Sequence, residues 1–229
     1  MKKLIQASCL AFLVVGCQNK QGQELSTRFH DDGRGKAIVT ITPIFDEQNI
    51  QLPWSLSQDL TEMIKVKLMK KANVFVTKEA SDVVEGLSFE GEIKPNPLEE
   101  NQLFYISSHS LKEKFPKTEF VVFMELAEHK LISRVETGGF LDTVSPSYEL
   151  HEAIRLRIYD LRSETPTIVL QELVEQTHPI PKSFVKMDYD STLWGKKTYS
   201  ITPLGLAHSQ LVKDVTSRIE NYLILAKTK

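Results

Sequence analysis

The chain has 229 residues, 41% hydrophobic and 25% charged, with 10 Gly and 10 Pro. That is an ordinary globular balance, which favours neither a disordered nor a fibrous chain. The formal net charge is −2, so nucleic acid, which calls for a concentrated basic surface, is not an expected partner. The two cysteines are Cys9 and Cys17. Nothing after residue 17 can therefore form a disulfide, a thiolate metal site or a Cys nucleophile.

The first segment reads as an export signal. Met1-Lys2-Lys3 is positive, and Leu4 to Gly16 is a mostly apolar run of 13 residues ending Leu13-Val14-Val15-Gly16-Cys17. A membrane-spanning helix needs about 17–25 residues, so this run is too short to span. The ending resembles the bacterial lipobox, a small residue followed by Cys. That resemblance implies diacylglyceryl transfer to Cys17 and cleavage after Gly16. Cys9 fits worse, because Gln6-Ala7-Ser8 precedes it and the apolar run upstream is shorter. Two or three acyl chains on one residue hold a protein on a membrane, whereas one chain holds only marginally. Gln18 in place of Asp, by resemblance to lipoprotein sorting in diderm bacteria, favours the outer membrane over inner-membrane retention; the body is expected to face the periplasm. Without Lys2 and Lys3 the remainder carries 26 basic and 30 acidic side chains, a net −4. Residues 17–36 are polar, with Gly at three places, and read as a flexible tether between the lipid and the body.

Residues 37–229 read as a single domain. Ala37 to Phe45 is rich in β-branched residues and reads as a strand that Pro43 bends or ends. Leu56, Leu60, Met63, Ile64 and Leu68 mark one face of a helix over 56–71, and Ser55 with Gln58 makes a capping-box signature. Asn73 to Thr77 follows as a short strand. Phe89 to Ile93 reads as a further strand and Leu103 to Phe115 as a loosely periodic helix. Glu119 to Glu128 is almost wholly apolar, which suits a central strand covered on both faces.

His151 to Leu161 alternates, with Ile154, Leu156 and Ile158 on one face and Arg155, Arg157 and Tyr159 on the other. Paired with Ile168 to Gln176, it reads as an antiparallel hairpin with a six-residue link and one wet face. His178 to Ile201 reads as an extended loop packed by Phe184, Tyr189, Trp194 and Tyr199. Thr202-Pro203 then caps a closing helix with an apolar stripe from Leu204 to Leu223. The order predicts an α/β (α+β) fold, a mixed sheet with helices packed against it.

Several phrases carry a resemblance. They are Ile-Thr-Pro-Ile-Phe on a strand, Leu-Ser-Gln-Asp-Leu opening a helix, Val-Phe-Val-Thr, the buried Phe-Val-Val-Phe, and Ile-Arg-Leu-Arg-Ile-Tyr-Asp. Together they are similar to the periplasmic α/β domain of curli-secretion lipoproteins, of lipoprotein activators of penicillin-binding proteins, and of the N-terminal part of the Tol propeller protein. The resemblance implies a non-enzymatic envelope module that binds or assembles with a protein partner, and it brings no catalytic residues. The run from Thr202 to Leu223 also resembles lipoproteins of chlamydia-type bacteria.

Motifs for chemistry are missing. His151-Glu152 lacks the second His of a zinc-protease helix, Gly33-Arg34-Gly35-Lys36 lacks phosphate-loop spacing, and no Gly-x-Ser-x-Gly elbow occurs. His30-Asp31-Asp32 reads as a surface cluster in the tether. No catalytic residue, metal site or cofactor is therefore expected. His208 falls on the apolar face of the closing helix, either as a core-edge histidine with satisfied nitrogens or as a buried pH-sensitive contact. Trp194, Tyr199, Arg155 and Arg157 are the candidate partner contacts. A lipid-anchored hydrolase of wall or surface polymers, and a surface-exposed host-interaction lipoprotein, stand as alternatives.

Overall fold

A computed structural model describes residues 28–46, 55–77, 108–133, 148–185 and 197–228. Gly16, Cys17, Tyr189, Trp194, the strand expected at 89–93 and the first part of the helix expected from Leu103 lie outside the described residues. The chain divides into two units, Met1–Lys36 and Ala37–Lys229.

In the first unit the described residues form a tight reversal within the stretch read as a tether. Phe29 bridges Gly35, and His30 N donates to Arg34 O at 2.8 Å. Gly33 turns the chain at φ +82°, a conformation that costs glycine little. Asp32 accepts the Arg34 guanidinium at 2.7 Å.

The second unit is built on one mixed sheet. Its strands are β1 (Ala37–Ile41), β2 (Val74–Val76), β3 (Phe120–Ser133), β4 (Tyr148–Asp160) and β5 (Thr167–Ile180), in the spatial order β2-β1-β3-β4-β5. β1 runs parallel to β2 and β3, while β3-β4-β5 is an antiparallel meander. Pro43 has no N–H for the ladder. β1 accordingly stops at Ile41, but the chain continues alongside β3: Thr42 N donates to Val122 O at 3.1 Å and Phe45 N to Met124 O at 2.9 Å.

The helices are α1 (Leu56–Met69), α2 (Ser108–Lys114), α3 (Lys182–Val185), α4 (Lys197–Ser200) and α5 (Pro203–Lys227). α1 buries Leu56, Leu60, Ile64 and Leu68, one per turn, and Ser55 Oγ caps it by accepting from Gln58 N at 3.3 Å. Thr61 stitches α1 to the loop after β1, accepting from Ile44 N at 2.9 Å. α5 lays Leu211, Val215, Ile219 and Leu223 on the same core. These side chains meet Val39, Ile41, Val122, Met124, Leu126, Ile154, Leu156 and Ile158 from the sheet. Full burial of each aliphatic side chain stabilises by about 1.5–3 kcal/mol before conformational entropy is counted.

The far end of α5 is pinned by charge. Lys227 Nζ donates to both oxygens of Glu119 at 2.8 and 2.6 Å, and Glu119 Oε2 also accepts from Ile38 N at 3.0 Å. Arg162 in the hairpin link donates to the Ala226 carbonyl at 2.6 Å, satisfying a carbonyl in the last turn of the helix. No helix among the described residues is long and apolar enough to cross a membrane.

The opposite sheet face departs from the wet face read from the alternation in β4. Tyr159 is 6% exposed and meets Phe123 edge-on at 5.7 Å. Both join Leu111, Phe115, Val121 and Leu161 in a second apolar cluster. Arg157 is 9% exposed, and Arg155 is ion-paired with Glu125 on the neighbouring strand. The wet-face reading is corrected: Leu111 of α2 and Phe115 pack with Tyr159, Arg157 is buried and Arg155 turns to Glu125, none of which hairpin periodicity alone reveals.

The segment read as a loop over 178–201 also gains structure. His178 to Ile180 belongs to β5, and Phe184 packs with Leu150, Ile180, Tyr199, Leu204 and Ala207. The aromatics described here therefore close the sheet against the start of α5 rather than packing only on one another.

Candidate functional site

Three polar side chains converge between the sheet and α5: His129 from β3, Glu152 from β4 and His208 from α5. Their arrival at one point depends on a defect in the ladder. Up to Leu126, the even-numbered residues of β3 face the helices, paired as Met124 with Leu156 and Leu126 with Ile154. The register shifts between Leu126 and Glu128, so that Ala127 is an extra residue, and beyond it His129 pairs with Glu152. A bulge of this kind reverses which residues face the core and re-aims a side chain. Without it, His129 would point to the opposite face.

His208 comes from the first turns of α5. Thr202 caps this helix, accepting from Gly205 N at 3.0 Å and donating to Tyr199 O at 2.8 Å. α4 is thereby held against α5, and the Tyr199 hydroxyl sits 3.0 Å from His208 Nδ1. The two rings lie nearly parallel with centroids 6.1 Å apart. Tyr199 is 2% exposed, so this candidate partner contact lies inside the domain and supports His208 instead.

On the other side of the imidazole, His208 Nε2 is 3.0 Å from His129 Nε2 and 2.9 Å from Glu152 Oε1, while His129 Nε2 is 3.7 Å from the same oxygen. The side chains of Glu152 and His208 are 0% and 2% exposed, and His129 reaches 12% at the rim. Despite the 2.9 Å approach, neither Glu152 oxygen has a hydrogen bond of acceptable direction. A buried carboxylate in that position costs several kcal/mol unless a counter-charge or donors compensate. Burial, aided by His208, pushes the His129 imidazole down to about 4, against an opposing pull from Glu152, so the ring is neutral at neutral pH. On α1, burial raises the Asp59 carboxyl above its usual range, against a smaller opposing pull from His208.

Of the two readings of His208, its nitrogens do find partners, but those partners form a titratable cluster rather than plain backbone. His129 and Glu152 went unremarked as a pair in the sequence, because no local spacing links residues on three separate elements. The only local trace was a polar Glu128-His129-Lys130 following an apolar strand. Composition allows the triad to hold a metal ion, exchange a proton, or act as a polar latch between β3, β4 and α5.

Fold and cluster together define a five-stranded α+β module with α1 and α5 on one face of the sheet, Leu111 of α2 on the other, and a buried polar centre under the first turns of the last helix. The chain belongs to a family of unknown function, DUF7499, whose profile matches residues 25–227. No curated protein matches it. Among solved structures, it is similar to the hypothetical protein CT253 from Chlamydia trachomatis, with 24% identity, 82% of this chain and 98% of that chain covered, and a TM-score of 0.61. It also matches Lipoprotein GNA1162 from Neisseria meningitidis at 12% identity, covering 81% and 99% of the two chains with a TM-score of 0.40. A neuraminyllactose-binding hemagglutinin homolog from Helicobacter pylori matches at 13% identity, over 86% and 95%, with a TM-score of 0.42. At its level of identity, what the chlamydial protein shares with this chain is the fold. The likeness to chlamydia-type proteins noted along Thr202 to Leu223 thus extends to the architecture of one of them.

Proposed function

We propose that this is a lipid-anchored protein of the bacterial envelope whose α+β domain binds a protein partner and catalyses no reaction. Burial carries the second half of the reading. The described residues bring together one set of groups with the composition of a metal-dependent active site, and two of its three members are closed off at 0% and 2% exposure. A reacting bond must come within about 3–3.5 Å of the groups that act on it. The carboxylate of Glu152 offers no such approach. The first half rests on the short apolar run ending at Gly16-Cys17. Gln18 in place of Asp, by resemblance to lipoprotein sorting in diderm bacteria, supports placement at the outer membrane, and a periplasm-facing body is part of the same proposal.

Fractionation and crosslinking in the native cells test this reading. The wild-type protein should stay in the membrane pellet through high-salt and alkaline washes, whereas Cys17→Ser should move to the soluble fraction or accumulate as precursor. Crosslinking the anchored protein should then trap one envelope protein in a fixed ratio. Recovery of only abundant neighbours would defeat the binding half, and a Cys17→Ser variant that stays membrane-bound after losing residues 1–16 would defeat the anchor.

A further inference from the structure

We propose that His129, Glu152 and His208 form a structural site for one divalent transition-metal ion, zinc being the best fit, which locks α5 onto the β3-β4 ladder. The donor set is two imidazoles and one carboxylate, the borderline ligands that zinc takes. The atoms facing one another are His129 Nε2, His208 Nε2 and Glu152 Oε1, separated by 3.0, 2.9 and 3.7 Å. With metal–ligand bonds of about 2.0–2.1 Å, tetrahedral ligands stand about 3.3–3.4 Å apart. The observed separations straddle that value, so a few tenths of an ångström of adjustment would seat an ion.

A second observation points the same way. Glu152 is buried with neither oxygen hydrogen-bonded, and it is aimed at two ring nitrogens that lie 3.0 Å apart. Two imidazole nitrogens so placed share at most one proton between them, which leaves the carboxylate poorly compensated. A dication on all three donors removes that conflict at once. The surroundings also suit a ligand histidine. A metal-bound imidazole commonly donates its remaining N–H to a neighbour that fixes the ring. The Tyr199 hydroxyl, 3.0 Å from His208 Nδ1, is placed to accept that proton while Nε2 faces the ion. The fourth position falls to water at the His129 rim, where the side chain is 12% exposed. The role assigned to the ion is to hold α5 on the ladder, and with Glu152 and His208 closed off only the rim beside His129 lets water reach it.

The test uses the mature lipidated protein in detergent, in which Cys9 is gone and Cys17 is acylated, stripped with a chelator and then titrated with zinc against a chromophoric competitor. One equivalent should bind, and the melting temperature should rise by roughly 5–10 °C at a hundredfold excess over the dissociation constant. Cobalt in place of zinc should give the intense visible bands of a four-coordinate ion. Glu152→Gln should melt no lower than wild type in chelator, since a buried charge is removed, and should lose the zinc-induced rise. Tyr199→Phe, which keeps the core packed, should weaken binding roughly 10–100-fold. Absence of a bound equivalent, weak six-coordinate cobalt bands, or tight binding that survives both Glu152→Gln and His208→Ala would each overturn the site. In the last case the ion sits elsewhere, for example at His30-Asp31-Asp32, and His30→Ala would release it.

Discussion

Leu156→Ala is expected to lower the stability of the domain by about 2–5 kcal/mol. Leu156 is fully buried near the middle of β4, paired with Met124 on β3 and facing the helix-covered core. Strands hold it on both sides and the helical layer covers its face, so little can move in to refill the space. Urea unfolding should show the loss as a lower midpoint with an unchanged slope. Leu173→Ala supplies the contrast, because Leu173 is 42% exposed on β5 and should change stability by no more than about 0.5 kcal/mol. Equal costs at the two positions would mean that the hairpin register or the covered face is wrong.

Gly205→Ala sets two effects of opposite sign against each other. Within a helix, alanine is favoured over glycine by about 1 kcal/mol, so propensity alone predicts a more stable α5. A methyl at Gly205, however, would lie 2.0 Å from the Tyr199 carbonyl oxygen, 2.8 Å from its carbon and 3.1 Å from the Ser200 Cα. All three are backbone atoms, so relief requires α4 to move away from α5. Overpacking of this kind typically costs 1–3 kcal/mol, and with contacts this short the clash wins. The variant should be less stable than wild type. It should also disturb the Tyr199–His208 contact, visible as a changed near-UV tyrosine signal. A gain of about 1 kcal/mol with an unaltered spectrum would show that α4 does not pack against α5 as described.

Local periodicity carried much of this fold. The i, i+4 leucines of α1, the Thr202-Pro203 start of α5 and the alternation along β4 each reflect a repeat that a single element imposes on its own residues. β3 was harder to read, since its apolar run ends near Ala127 while the strand continues through Glu128, His129 and Lys130 to Ser133. Pairing with β4, not residue preference, holds that second half extended. The burial of Tyr159 was hidden for a related reason: the side chains packed with it include Leu111 and Phe115, far away in sequence.

The candidate site was the least legible part. His151-Glu152 drew attention as adjacent residues, whereas the partners of Glu152 are His129 across the ladder and His208 on α5. A bulge at Ala127 decides that His129 faces the cluster, and a one-residue register shift leaves no mark in composition. His208 could be recognised as a polar residue on an apolar stripe, but its neighbours could not. Buried polar clusters assembled across elements are specified by topology, which is why spacing rules find helical zinc motifs and miss this one.

Mass spectrometry of the N-terminal peptide, from protein taken from its native membranes, tests the anchored-module reading most directly. The predicted result is a chain that begins at Cys17 and carries the mass of a diacylglyceryl group, with or without a third acyl chain. A peptide that retains Met1, or one that begins at an unmodified Cys17, would contradict it.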